Sequence, residues 1–318
     1  QSRCWGGVFE PIKPVEPPVE KPETPTTPPS TEDLITIKIE DDIMAVVGTN
    51  TWGSIAYGNG KYVAVGADGY VTTSTDGVNW TTPVQRITAS GSTVAGCIFA
   101  NGMFYIAGSQ NARSNRDTVE AVMIWKSSDG ETWTGAMTPQ AISVNRYSGS
   151  IFYANNIFVV GCSQGYIMTS DDNLSSCSFI QVKYISGMVW KGSTYGNGKF
   201  VTVGSTGLVA VSTDNGGTWK TYETDAGSLH SIAYGNGKFV AVGNDVILYS
   251  ENATTWTKQS LAEFAPKNIA FIDNMFVMIG TNGYIMTSKD GISWSNPIRI
   301  KNESGTDVTD HLYGIIAV

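Results

Sequence analysis

The sequence predicts an all-β chain folded as a β-propeller of seven four-stranded blades, closed by its N- and C-terminal segments and preceded by an extended Pro-rich arm. Three observations carry the expectation. A text of about forty residues recurs six times along the chain. Each copy alternates short apolar runs with glycine-rich turns, and strand-like segments are left over at both ends. A six-bladed ring that the end segments only augment is the alternative.

The clearest copy is Ile55 to Trp80, IAYGNGKYVAVGADGYVTTSTDGVNW. Its alternations, Ser54–Tyr57, Tyr62–Val65 and Tyr70–Thr73, are separated by Gly-Asn-Gly and Ala-Asp-Gly, the punctuation of tight hairpins. A fourth strand opens at Trp80 after a Ser74–Asn79 turn, in which Asp76 can accept backbone N–H groups and Gly77 can take positive φ. The first strand returns at Cys97–Gly102, Ile151–Asn156, Ser193–Gly198, Ser231–Gly237 and Ala270–Asn274. The turn returns at Ser127–Trp133, Ser212–Trp219, Ser250–Trp256 and Ser288–Trp294, with a degenerate copy at Ser170–Phe179. Trp80, Trp133, Trp219, Trp256 and Trp294 are therefore separated by 53, 86, 37 and 38 residues, the 86 spanning two periods. One such unit cannot bury both faces of its sheet, so neighbours must stack, and a ring leaves no end unit unpaired.

The Ser-x-Asp-x-Gly-x-x-Trp turn resembles the Asp-box, or BNR repeat, of sialidase-like propellers, over Trp52 to Trp294. In that family the turn lies on the face away from the active site, which makes Asp76, Asp129, Asp214 and Asp290 structural. Asn252 in place of one aspartate agrees, since an amide caps a turn but does no acid–base chemistry. Asp-box propellers include glycosidases, assembly factors and plain binding proteins, so the resemblance speaks to fold more than to activity.

The chain of 318 residues carries a formal net charge of −8 and no apolar run of 18 residues or more. Without a basic stripe, nucleic acid is not an expected partner, and no transmembrane span is expected. Residues 1–33 form a separate region before the propeller of 34–318: residues 11–29 hold eight of the twelve prolines and favour polyproline II. This stretch reads either as a disordered tail or as a spacer holding the propeller off an anchor of Cys4, Trp5, Val8 and Phe9. The opening Gln1, where a methionine would start translation, suggests processing or a longer product. Lipidation of Cys4 would supply a tether, but Gln1-Ser2-Arg3 is not a lipobox. Cys97 reads as a buried apolar residue, and Cys162 and Cys177 fall near opposite ends of one blade, which argues against a disulfide. Four cysteines without a C-x-x-C pair argue against zinc, and neither metal nor cofactor is expected.

Residues 34–48 read as two strands about Glu40-Asp41-Asp42, and His311–Val318 as a further first strand. Together they are the expected seventh blade.

Function is expected where the copying is interrupted. The largest interruption, Ser109–Ala121, falls between a second and a third strand, on the face opposite the Ser-x-Asp turns. There Arg113, Arg116 and Asp117 are candidates to bond a sugar or an acidic group, unless the insertion is only a solvated loop. The links between blades reach the same face and carry Tyr184, Trp190, Tyr222 and Phe264, which either stack on sugar rings or pack between blades. Trp125 aligns with core positions Thr72, Met168 and Met286.

Sialidases clamp a substrate carboxylate with three arginines, the first in an Arg-Ile-Pro motif, beside a Tyr–Glu pair and an Asp acid. None of the six arginines here, 3, 86, 113, 116, 146 and 299, stands in such a motif, so the resemblance does not extend to that site. Asp225, Glu223 and Glu263 are carboxylates that nothing in the sequence pairs, and His230 and His311 lie near first strands without a recognisable nucleophile. The expected function is a non-enzymatic recognition or structural module, displayed by its N-terminal arm on the extracellular surface of a virion or bacterial cell. The repeat text resembles propellers of bacterial surface proteins and of phage tail or fibre proteins. The resemblance implies a protein anchor for the arm and host or environmental glycans as ligands. A glycoside hydrolase or lyase, and an assembly factor, are the alternatives.

Overall fold

Two residues in the left-handed region reverse the chain between the first two strands of each repeat: Asn59-Gly60, Asn101-Gly102, Asn155-Asn156, Asn197-Gly198, Asn236-Gly237 and Asp273-Asn274 all have positive φ. Asparagine, aspartate and glycine enter that region at low cost, and the twist of such two-residue turns matches that of the strands they join. A computed structural model describes residues 2–3, 52–66, 68–88, 93–114, 117–137, 148–261, 264–301 and 305–316.

The chain opens with β1 (Ser2–Arg3), and six antiparallel meanders follow, each with its strands in sequence order. Blade 1 is β2 (Trp52–Gly58), β3 (Lys61–Gly66), β4 (Tyr70–Ser74) and β5 (Val84–Gln85); blade 2 is β6 (Thr93–Ala100), β7 (Met103–Ser114), β8 (Asp117–Ser127) and β9 (Thr134–Met137). Blade 3 is β10 (Ser148–Ala154), β11 (Ile157–Cys162), β12 (Tyr166–Asp171) and β13 (Cys177–Gln181); blade 4 is β14 (Trp190–Gly196), β15 (Lys199–Gly204), β16 (Leu208–Ser212) and β17 (Lys220–Glu223). Blade 5 is β18 (Leu229–Gly235), β19 (Lys238–Gly243), β20 (Val246–Ser250) and β21 (Thr257–Ser260); blade 6 is β22 (Pro266–Ile272), β23 (Met275–Gly280), β24 (Tyr284–Ser288) and β25 (Ile298–Arg299). From β2 through β6, β10, β14 and β18 to β22, each innermost strand lies against its successor.

Second strands are buried almost along their whole length because both their faces meet a neighbouring blade. One apolar cluster fills each of the five spaces between consecutive blades from 1 to 6, such as Phe104, Ile106 and Trp125 with Val63 and Val65 between blades 1 and 2. Trp125 is thus core, as its alignment predicts.

The ring has six blades, which corrects the seven expected. At the seam between blades 6 and 1 stands a two-stranded parallel ribbon of β1 and β26 (His311–Leu312), with Ser2 opposite His311. The physical reason is length. Residues after β25 are used in doubling back, where Val308 N–H donates to Ile300 O (2.8 Å), and only two residues of the following segment pair as strand. The segment acts as a wedge: Leu312 and Ile315 pack with Ile279, Ile300 and Val308 of blade 6, and Ile316 packs on Trp52 and Ala56 of blade 1. Residues 34–48, proposed for outer strands, lie outside the described residues, as do the Pro-rich stretch 11–29 and Cys4, Trp5, Val8 and Phe9. The pairing of Ser2–Arg3 brings the start of the chain back to the ring, whereas the expected anchor was to be held away from it.

Candidate functional site

The Ser-x-Asp turns come first because Asp76, Asp129, Asp214 and Asp290 are the carboxylates lowered most among the described residues. In blade 1 Asp76 Oδ1 accepts from Ser74 Oγ (2.9 Å), Val78 N–H (2.9 Å) and Asn79 N–H (2.7 Å), while Trp80 Nε1–H donates to Gly77 O (3.0 Å). Asp129, Asp214 and Asp290 repeat the arrangement, with Trp133 and Trp219 making the same indole bond; Trp294 stands at its place in the sixth blade. Bonds from the Asn79 side chain and backbone hold the Asp76 carboxyl well below the usual range, and the Thr218 side chain and backbone hold Asp214 at about 2. For Asp290, burial pushes upward but the Ile292 and Ser293 amides prevail, giving about 2. Asn252 Oδ1 accepts from Thr254 and Thr255 N–H (2.9 Å each), and Trp256 Nε1–H donates to Ala253 O (3.1 Å), so the motif works without the charge. In the degenerate copy Leu174 takes the left-handed position (φ 55°) and buries its side chain between blades 2 and 3.

These turns share a rim of the ring with the Asn-Gly hairpins, which we call the turn rim. The loops between second and third strands and the links between blades form the opposite link rim. The insertion expected as a loop on that rim is a continuation of strand. β7 has 12 residues against 6 in β3, and the pairing runs unbroken to Ser114 opposite Asp117. Six additional residues project the hairpin about 20 Å past its neighbours. Arg113 and Asp117 lie on its two strands, and Arg116 lies outside the described residues.

The aromatic candidates separate. Tyr184 is 63% exposed on the link from blade 3 to blade 4. Trp190, by contrast, is fully buried between blades 3 and 4, and Phe264 is buried between blades 5 and 6. Tyr222 is half-buried on the core between blades 4 and 5. Trp190 and Phe264 are therefore interblade packing and offer no ring to a ligand, because a link that crosses to the next blade must bury an anchor to fix its path. Glu223 pairs with Lys183, Glu263 lies outside the described residues, and His311 Nδ1 accepts from Asn282 N–H (3.3 Å) in the closing seam. Among the described residues Cys97, Cys162 and Cys177 form no disulfide, Cys97 and Cys162 are buried, and no group of three His, Cys, Asp or Glu is placed to hold a metal. Among them, too, no helix is long and apolar enough to cross a membrane.

The residues that sequence reasoning missed stand where the axial channel opens on the link rim. Every innermost strand carries one β-bulge near its start: the pairing jumps from Trp52 to Ser54, Val94 to Gly96, Ser148 to Ser150, Trp190 to Gly192, Leu229 to Ser231 and Pro266 to Asn268. A bulge leaves its extra residue unpaired and re-aims that side chain, which is why bulges recur beside binding sites. The extra residues are Gly53, Ala95, Gly149, Lys191, His230 and Lys267, and all six line one cavity of about 580 Å³ at the mouth. Blades 1 to 3 contribute small residues and blades 4 to 6 contribute cations or a histidine. Lys191 Nζ lies 3.4 Å from His230 Nδ1 and 3.5 Å from Ser228 Oγ, and His230 Nε2 lies 2.7 Å from Asn244 Oδ1. If Lys191 donates to Nδ1, the ring is neutral and Nε2–H donates to the Asn244 amide oxygen. Burial first, then Lys267, lowers the Lys191 ammonium; burial likewise lowers His230 against the Asn244 bond, with both lysines adding to the depression. Lys267 has no hydrogen-bond or ion-pair partner among the described residues. Aligning the six first strands by their bulge would have exposed this column, which apolar alternation passes over.

No protein-family model matches the sequence, and no curated protein does. Solved structures do resemble it. A computationally designed protein, Ika8, superposes with a TM-score of 0.54 at 11% identity, covering 85% of this chain and 91% of that one. YCF48 bound to a D1 peptide gives 0.56 at 16%, covering 78% and 80%, and YCF48 from Cyanidioschyzon merolae gives 0.55 at 12%, covering 80% and 87%. At these identities the likeness is one of fold, and this chain is a β-propeller.

Proposed function

We propose that the chain is a recognition module that holds a protein partner against its link rim and performs no catalysis on it. The observation that carries the reading is the column of six bulge residues, in which a repeated backbone presents three small and three basic or titratable side chains to one cavity. The tall β7–β8 hairpin stands on the same rim. A peptide is what YCF48, a propeller of this fold, holds in its solved complex. The aspartates of the turns support the non-enzymatic part: they are hydrogen-bond acceptors committed to local structure and held ionised, the opposite of a general acid. Their geometry also supports reading the repeat as an Asp-box.

Display on a virion or cell surface is the narrower form of the proposal, supported by the Pro-rich composition of 11–29 and the likeness of the repeat text. Glycan binding is supported by exposed Tyr184 but loses Trp190 and Phe264 to the core.

The test is photo-cross-linking from each rim. A cross-linking residue at Tyr184 on the link rim is expected to trap a species that the same residue at Asn197 on the turn rim does not. Trapping from Asn197 alone, or release of reducing ends from a glycan panel, overturns the reading.

A further inference from the structure

The mouth is an unusual place to leave two lysines. The chain carries a net charge of −8, yet the strongest electrostatic influences on Lys191 and His230 come from other cations, with no carboxylate among them. Half-buried ammonium groups side by side cost free energy that no ion pair in the described residues offsets. They line a cavity whose volume of about 580 Å³ lies in the range of ligand sites. Gly53, with nothing within 4 Å of where a Cβ would stand, and Ala95 leave one side of that cavity open, so a ligand has room for its body there while a charged end reaches the basic side.

We propose that the axial mouth is a carboxylate site, in which Lys191 and Lys267 receive an acidic side chain or chain end of the protein partner and His230 holds Lys191 in position. Charge-assisted bonds to a carboxylate would replace the cation–cation contacts that now face the cavity. A peptide is favoured over an acidic sugar because Tyr313 is the one Phe, Tyr or Trp among the described residues lining this cavity, whereas sugar sites lean on ring stacking. Among the described residues His230 is faced by Lys191, Lys267 and Asn244, so a bound anion would be its first negative neighbour there.

The inference rests on the reading of the link rim as the partner face, and the experiment separates the two. The full chain is titrated calorimetrically with a penta-glutamate peptide, its penta-glutamine counterpart, an oligoglucuronate and inorganic phosphate, at low and high salt. Penta-glutamate is expected to bind, weaken with salt, and lose about tenfold or more in affinity in each of Lys191→Ala and Lys267→Ala. Lys61→Ala, on the turn rim, is expected to bind as the parent does. Equal binding of the glutamine peptide, or retention in a Lys191→Ala/Lys267→Ala double variant that melts normally, overturns the proposal. Binding of oligoglucuronate or phosphate in preference to the peptide overturns its peptide occupant. If none binds while Tyr184 still traps a partner, this inference falls and the link-rim reading stands.

Discussion

The two rims of the ring are built on opposite principles. On the turn rim every blade repeats one aromatic pair across its first hairpin, Tyr57–Tyr62, Phe99–Phe104, Tyr153–Phe158, Tyr195–Phe200, Tyr234–Phe239 and Phe271–Phe276, with centroids 4.6 to 4.9 Å apart. Glycines let successive blades close up: a Cβ on Gly58, Gly196 or Gly235 would stand 2.1 Å from Phe99, Tyr234 or Phe271 of the next blade. On the link rim the blades diverge, one carrying a doubled hairpin and three carrying basic or titratable residues at their bulges. The difference teaches where the fold is specified. Ring geometry is fixed by packing at the turn rim, between blades and at link-rim glycines such as Gly149, whose Cβ would stand 2.3 Å from Trp190 O, and the remaining bulge positions are left to hold charge.

If that division is right, damage should depend on the rim. The largest effect is expected from Phe239→Ala, which deletes a fully buried ring from the pair with Tyr234 and from the core between blades 4 and 5; a loss of about 3–5 kcal/mol by denaturant unfolding is expected. Gly235→Ala should cost about 1–3 kcal/mol because its methyl meets the Phe271 ring. The matching change on the link rim, Gly53→Ala, meets nothing within 4 Å and should stay within about 0.5 kcal/mol. Equal costs at Gly53 and Gly235 would erase the contrast between the rims.

A third expectation concerns acid. Asp76, Asp129, Asp214 and Asp290 are all more acidic folded than unfolded, so each stabilises the ring above its unfolded value near pH 4. That contribution is lost as pH falls from about 4 through about 2, where Asp214 and Asp290 protonate in the folded state. Asp290→Asn should keep the Ser288, Ile292 and Ser293 bonds, as Asn252 does in its own blade, and show a shallower acid limb in melts from pH 5 to about 2.

Much of this was legible in the sequence for a physical reason: the turn rim depends on local chemistry. Asn-Gly pairs, Ser-x-Asp turns and their tryptophans each act within a few residues, so their spacing alone placed six units and their strands. What escaped depended on distant contacts. Blade number turned on how few residues after β25 pair as strand, and the seam on Ser2 meeting His311. Whether Trp190 stacks on a ligand or packs between blades stayed open in the sequence, because its burial is decided by two blades meeting over it. Lys191, His230 and Lys267 stand 39 and 37 positions apart in sequence and become one site only because a bulge recurs at the same register.

The smallest effect should come from the mouth itself. Lys191 is half-buried, bonded among the described residues to His230 and Ser228, and faces Lys267. Replacing it with alanine removes a desolvated charge and a like-charge contact while sacrificing two long polar bonds and some packing of its stem. The terms oppose one another, and unfolding free energy is expected to move by no more than about 0.5 kcal/mol in either direction. Salt sharpens the expectation. Adding sodium chloride screens repulsion between Lys191 and Lys267 in the parent, so the parent should gain stability relative to Lys191→Ala as ionic strength rises. A loss from Lys191→Ala as large as that from Gly235→Ala, independent of salt, would make the lysine a structural member of the ring and would remove the distinction between the two rims.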